Sequence, residues 1–166
     1  MRCPPLDANS TYAYLLLCHH FPRTCAIALR GRSTIGFLAA YHPPADPDAL
    51  FVWQVAVDES ARGEGIGLRL IEDVLGRDTR GDIRYVEATV NPSNAASSRL
   101  FGRLADRLAA PLHRRRLFDS ALFEVNPPAP PGATAATHEP EDLLRIGPFD
   151  LSHLIPHPMT GATALP

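Results

Sequence analysis

The sequence predicts an α+β domain, a mixed central sheet flanked by helices, and three observations point there. Residues 50–57 form an apolar run rich in β-branched and aromatic side chains, the pattern of a buried strand. Past a glycine-rich turn, Ile66, Leu70, Ile71, Val74 and Leu75 recur at helical spacing. Over the whole chain the pattern reads helix, hairpin, strand, helix, strand, helix, strand, with no internal repeat.

Each element has a local reason. Pro4-Pro5 keep the opening irregular, Ser10 caps a helix through Tyr12, Leu15, Leu16 and Leu17 to His20, and Pro22 ends it. Residues 24–29 and 34–41 are the arms of a hairpin closed at Gly31-Arg32. A stiff proline loop, 42–48, leads into the central strand. After the glycine helix, residues 76–82 are a loop and 83–90 the next strand. Asn91-Pro92-Ser93 opens a helix with Ala96, Leu100, Leu104 and Leu108 on its buried side. Pro111 interrupts; residues 117–125 are expected as the last strand, 127–131 as an exposed proline connector and 139–146 as a short helix. Residues 1–149 are expected to form the domain and 150–166 a loose tail.

A chain of 166 residues suits one domain with a substantial core. A net charge of −2 gives no electrostatic reason to expect nucleic acid or an anionic membrane as partner. The apolar run 12–18 is too short to cross a bilayer, and no basic leader with a cleavage site precedes it. Cys3, Cys18 and Cys25 lack metal-ligand spacing and read as reduced thiols, and the histidines show no such spacing either. The expectation is a cytoplasmic protein without a metal.

Between strand and helix lies Arg62-Gly63-Glu64-Gly65-Ile66-Gly67. A turn so poor in side chains bares backbone N–H groups at the positive end of a helix dipole, where a phosphate can sit. A P-loop would need Lys and then Ser or Thr after its last glycine, and Leu68-Arg69 stand there. The glycine spacing is also not that of a dinucleotide fingerprint. A glycine-capped helix start without a ligand remains one reading. The other is a resemblance: Arg62, Gly65 and Gly67 in the pattern Arg-x-x-Gly-x-Gly resemble the pyrophosphate loop of the GNAT N-acetyltransferases. That resemblance implies acetyl-CoA as co-substrate, held by Arg62, Gly63, Glu64, Gly65, Ile66 and Gly67, with backbone groups of Val55 and Val57 beside it.

Residues 91–101, Asn-Pro-Ser-Asn-Ala-Ala-Ser-Ser-Arg-Leu-Phe, are similar to the second cofactor element of the same family, which places Asn94 beside the pantetheine. Phe101 departs from the commoner Tyr, whose hydroxyl protonates the leaving thiolate in many relatives; a phenyl ring has no proton to give. Residues 5–18, the run Phe51-Val52-Trp53-Gln54-Val55-Ala56-Val57, residues 85–90, His138-Glu139 and Arg145-Ile146-Gly147-Pro148 resemble, more narrowly, the L-2,4-diaminobutyrate acetyltransferases. This implies acetylation of the 4-amino group of L-2,4-diaminobutyrate in ectoine biosynthesis, and a homodimer. Family members usually carry a longer front end, so this chain is expected to lack an edge strand and most of a first helix, or to have a start assigned too late.

The site residues each have a plainer alternative. Glu87, mid-strand among apolar neighbours, is the expected acceptor of the amine's proton or else an exposed-face Glu. Asp7 is an ammonium partner or a turn residue. Tyr12 reaches the substrate or packs in the core, and Trp53 walls the amine or packs, or does both. Glu139 and Glu141 belong to a lid over the diamine or are ordinary acids at a helix start. Arg145 is a candidate reader of the substrate carboxylate. Two other functions stay open: another small-amine or protein N-terminal acetyltransferase, and a coenzyme A-binding module without catalysis.

Overall fold

The computed structural model describes residues 10–78, 81–123 and 138–151. Among them a single sheet of six strands carries the fold. The elements are α1 (Thr11–His20), β1 (Ala26–Arg30), β2 (Ser33–Tyr41), β3 (Ala49–Val57), α2 (Ile66–Leu75), β4 (Tyr85–Val90), α3 (Ala95–Arg107), β5 (Leu112–Phe118) and β6 (Glu141–Ile146). Spatial order is β1-β2-β3-β4-β6-β5. Only β3 and β4 run parallel, with α2 as their crossover; every other pair is antiparallel.

The back of the sheet is the core. Leu38, Leu50, Val52, Val86, Ala88, Val90, Leu144 and Ile146 pack there against Ile71, Val74 and Leu75 of α2 and Phe101, Leu104 and Ala105 of α3. The buried residues of α2 are Ile66, Leu70, Ile71, Val74 and Leu75, the set its spacing marks. Ser10 caps α1 by accepting the Ala13 N–H at 3.2 Å. The front carries α1, whose Tyr14 meets Phe37 edge-on and whose C-cap Phe21 faces Tyr41.

Four expectations need correction. Residues 141–146 are the strand β6, not part of a helix. Their acids suggest a helix start, but β6 lies between β4 and β5 and bonds to both, and that pairing outweighs local propensity. The strand expected at 117–125 is instead β5, Leu112–Phe118, followed by a 3-10 turn at Ser120–Phe123. Its side chains are almost all exposed, so no apolar alternation announces it. An arginine-rich edge of this kind discourages pairing with another chain. Asn94 caps α3, so Asn91-Pro92-Ser93 lies before the helix, and Ala96 is exposed while Phe101 and Ala105 share the buried side with Leu104. Finally, Phe149 and Leu151 join the core, so packed chain runs past residue 149. The proline connector and the rest of the tail lie outside the described residues.

Candidate active site

Two structural facts open a cleft in the sheet. The rungs between β3 and β4 are Ala49–Tyr85, Leu50–Val86 and Phe51–Glu87, and beyond Glu87 the strands part. In β3 itself a bulge intervenes, because Ala39 pairs with Gln54 and Ala40 with Val52, leaving Trp53 as the extra residue. The bulge shifts the alternation, so Val55 turns toward α2, where its Cγ2 lies 3.7 Å from the Cβ position of Gly67. Past Phe51 no further rung joins β3 to β4 among the described residues, so the stretch from Val52 to Val57 borders the fork.

The fork opens on the glycine turn. After β3, Asp58 caps a 3-10 turn, accepting the Ser60 N–H at 3.1 Å and the Ser60 hydroxyl at 2.8 Å, and the chain reaches Arg62. Gly63 at φ 83° and Gly65 at φ 74° occupy the left-handed region, which a residue with a Cβ enters only under strain. Gly65 is the N-cap of α2, and no side chain caps the helix; its first turn carries no acid. The first N–H groups of α2 are therefore free for an anion. Glu64, the one acid in the turn, is paired with Arg30 at 2.6 Å, and Arg69 donates to the Glu64 carbonyl at 3.2 Å. Arg62 Nε lies 3.5 Å from the Val57 carbonyl oxygen. On the far side of the fork Asn94 accepts the Ser97 N–H at 3.0 Å, so its side chain caps α3. Phe101 is only 2% exposed and packs in the core, out of reach of any proton-donating role.

At the crotch of the fork sits a charged cluster. Glu87, on the last shared rung, is 9% exposed and points to the front, because Val86 and Ala88 fill the back. Its cross-strand neighbour is Arg145 of β6, whose Nη1 donates to Glu87 Oε1 at 2.5 Å. The same nitrogen donates to Asp46 Oδ2 at 2.5 Å, from the loop before β3. The guanidinium also lies 3.7 Å from the centre of the Tyr85 ring. Burial alone would lower the Arg145 pKa, but the bonds to Asp46 and Glu87 more than reverse that, and the group stays charged. The Arg145 hydrogen bond holds the Asp46 carboxyl below its ordinary value. Tyr41, stacked at a tilt on Phe51 at 5.2 Å, has its hydroxyl pKa raised by burial and then by the Glu87 charge, so it stays neutral.

The remaining candidates are distributed unevenly. Trp53 stands on the bulge at the mouth of the fork, 39% exposed. Tyr12 is 68% exposed, and it is Tyr14, two residues on, whose hydroxyl reaches β3, donating to Gln54 Oε1 at 3.2 Å. A helical face shared with buried Leu17, three residues away, was the available signal for Tyr14. Glu139 accepts the Ser93 N–H at 3.2 Å ahead of α3, and His138 stacks on Phe123 at 3.9 Å. Glu141 begins β6, half-buried. These last residues are thus brought to the β4–α3 side of the fork, while Asp7 lies outside the described residues. Arg145 spends Nη1 on two carboxylates, Asp46 and Glu87, so its first role in the structure is to hold this cluster. Among the described residues no group of three His, Cys, Asp or Glu could hold a metal, and no helix is long and apolar enough to cross a membrane.

Residues 1–105 match the acetyltransferase (GNAT) family. The chain is 48% identical over 149 residues to an L-2,4-diaminobutyric acid acetyltransferase from Chromohalobacter salexigens, covering 89% of this chain and 72% of that one. It is 43% identical over 153 residues to one from Halomonas elongata, covering 92% and 74%. Its structure is similar to that of diaminobutyrate acetyltransferase EctA from Paenibacillus lautus in complex with L-2,4-diaminobutyric acid and coenzyme A. That similarity has a TM-score of 0.75 at 38% identity, over 87% of this chain and 81% of that one.

Proposed function

Because the chain belongs to the GNAT acetyltransferase family and, within it, to the L-2,4-diaminobutyric acid acetyltransferases, we propose that it transfers the acetyl group of acetyl-CoA to the 4-amino group of L-2,4-diaminobutyrate, on the route to ectoine. One observation carries the reading: β3 and β4 part just past an acid-bearing rung, and the gap leads to a helix start with uncapped N–H groups. In this reading the Arg62 side chain and the amides from Gly63 to Gly67 grip the pyrophosphate, and Val55, Val57 and Asn94 line the pantetheine. The thioester carbonyl then lies along β3 past its last rung with β4, where backbone N–H groups around Val55 to Val57 are the donors for the developing oxyanion.

A thioester is already activated, so direct attack by the amine suffices. The side-chain amine has an ordinary pKa near that of Lys, about 10, and arrives as an ammonium. Glu87 takes its proton, directly or through a water, while Trp53 and the cluster hold the nitrogen about 3 Å from the carbonyl carbon. Choice of the 4-amino over the 2-amino group follows from position, since both are amines. Asp7, Tyr12, Glu139 and Glu141 complete the substrate pocket in this reading. A homodimer in the cytoplasm, engaging neither nucleic acid nor membrane, completes the proposal.

Thiol release from acetyl-CoA tests it. Release that needs diaminobutyrate and yields the N4-acetyl product is expected. Release with peptides alone would make the protein an N-terminal acetyltransferase. Binding of coenzyme A with no release from any amine would leave a binding module, the role that Phe101 keeps in view.

A further inference from the structure

The cluster at the crotch of the fork is unbalanced in charge. One guanidinium, Arg145, faces two carboxylates, Asp46 and Glu87, through a single nitrogen. The group therefore carries one formal negative charge, on the front face, where β3 and β4 last touch. Asp46 does not reach it by chance of a loose loop. Pro44 and Pro47 flank its turn, the Asp46 N–H donates to the Pro43 carbonyl at 3.0 Å, and the Ala49 N–H donates to the Asp46 carbonyl at 3.1 Å. The Tyr85 ring closes the remaining side of the guanidinium. A salt bridge whose only task was to tie the loop to β6 would need one acid. The second acid leaves an excess charge: Asp48, whose side chain hydrogen-bonds with Asp46, is another acid, and Tyr41, which feels the Glu87 charge, is neutral.

We propose that Asp46 is a specificity-determining residue for the amine: by sharing Arg145 with Glu87 it keeps the pocket floor net negative, so the site selects a molecule that arrives as an ammonium. This rests on the acetyl-transfer reading and adds to it the rule by which the amine is chosen. Asp46 supplies charge and holds the cluster in place, and Glu87 alone handles the proton.

Steady-state kinetics of the full chain over both substrates, with Asp46→Asn beside the wild type, test it. The expected result is a KM for diaminobutyrate raised roughly tenfold and less dependent on salt, with kcat and the KM for acetyl-CoA within about twofold. Asp46→Glu, which keeps the charge, brings the KM most of the way back. An unchanged KM for diaminobutyrate overturns the proposal. So does a parallel loss of kcat, acetyl-CoA binding and thermal stability, the mark of a merely structural tie. If D46N does not fold, inhibition of the wild type by butylamine and by its neutral isostere 1-butanol decides. Preference for the amine of about tenfold supports the rule, and equal inhibition overturns it. A wild type that is inactive on diaminobutyrate refutes the transfer reading itself, a result that D46N kinetics cannot be confused with.

Discussion

The two halves of the fork are built on opposite principles. The half proposed to bind the anion is one contiguous turn, residues 62–67, that would work through its backbone and needs glycine twice, at Gly63 and Gly65, for conformation. The half proposed to take the amine is a set of side chains from β3, β4, β6 and a loop, in which Asp46 and Arg145 meet across 99 residues. A backbone site tolerates most side-chain changes that keep its φ angles. A side-chain site fails when one charge is lost. Binding of coenzyme A and choice of amine should therefore be separable by mutation, and the substitutions below either break that separation or sharpen it.

The largest effect is expected at Glu87. Glu87→Gln leaves the Asp46–Arg145 pair intact and removes the proposed proton acceptor, so kcat should fall about 10²- to 10⁴-fold with coenzyme A affinity unchanged. Loss of coenzyme A binding in this variant would merge the two halves. Gly65→Val is the reciprocal change. A β-branched residue at φ 74° is strained by roughly 1–3 kcal/mol, and relief of that strain moves the amides, so coenzyme A binds about 10-fold or more weakly by calorimetry. Should diaminobutyrate saturation shift equally, the turn would be serving both substrates.

Trp53→Ala comes next. Losing an aromatic face at the mouth of the fork raises the KM for diaminobutyrate several-fold, in line with about 0.5–2 kcal/mol for a cation–π contact, and leaves that for acetyl-CoA in place. The smallest effect is on stability against pH. Arg145 holds the Asp46 carboxyl below its ordinary value, so its contribution is present above the unfolded pKa and is lost as pH falls through the lower, folded value. Wild-type melting temperature should therefore drop below about pH 4 more steeply than that of Asp46→Asn, measured by circular dichroism.

The same contrast decides what could be read from the sequence. The turn was legible because strand, glycines and helix are adjacent, and α2 buries the residues its spacing marks. Glu87 stood out as an acid in an apolar strand. Its partner did not: Arg145 lies on a segment whose acids suggested a helix, and only its place between β4 and β5 makes it a strand facing Glu87. Without that pairing Arg145 looked free to read a carboxylate. Asp46 was hidden in a proline loop whose course depends on tertiary contacts. Strand β5 escaped notice for a different reason, since its exposed arginines give no periodic signal and its place is set by pairing with β6. Likewise Tyr14, not Tyr12, is the α1 tyrosine that touches the sheet, a choice set by helix rotation.

The most direct test maps amide shifts in the ¹⁵N-labelled chain as coenzyme A and then diaminobutyrate are added. Coenzyme A should move the amides from Arg62 to Gly67 and those of Val55 and Val57, and diaminobutyrate should then move the Trp53 indole and the signals of Glu87 and Arg145. Coenzyme A shifts that spare the glycine turn, or diaminobutyrate shifts remote from Glu87, would contradict the fork as the place of transfer.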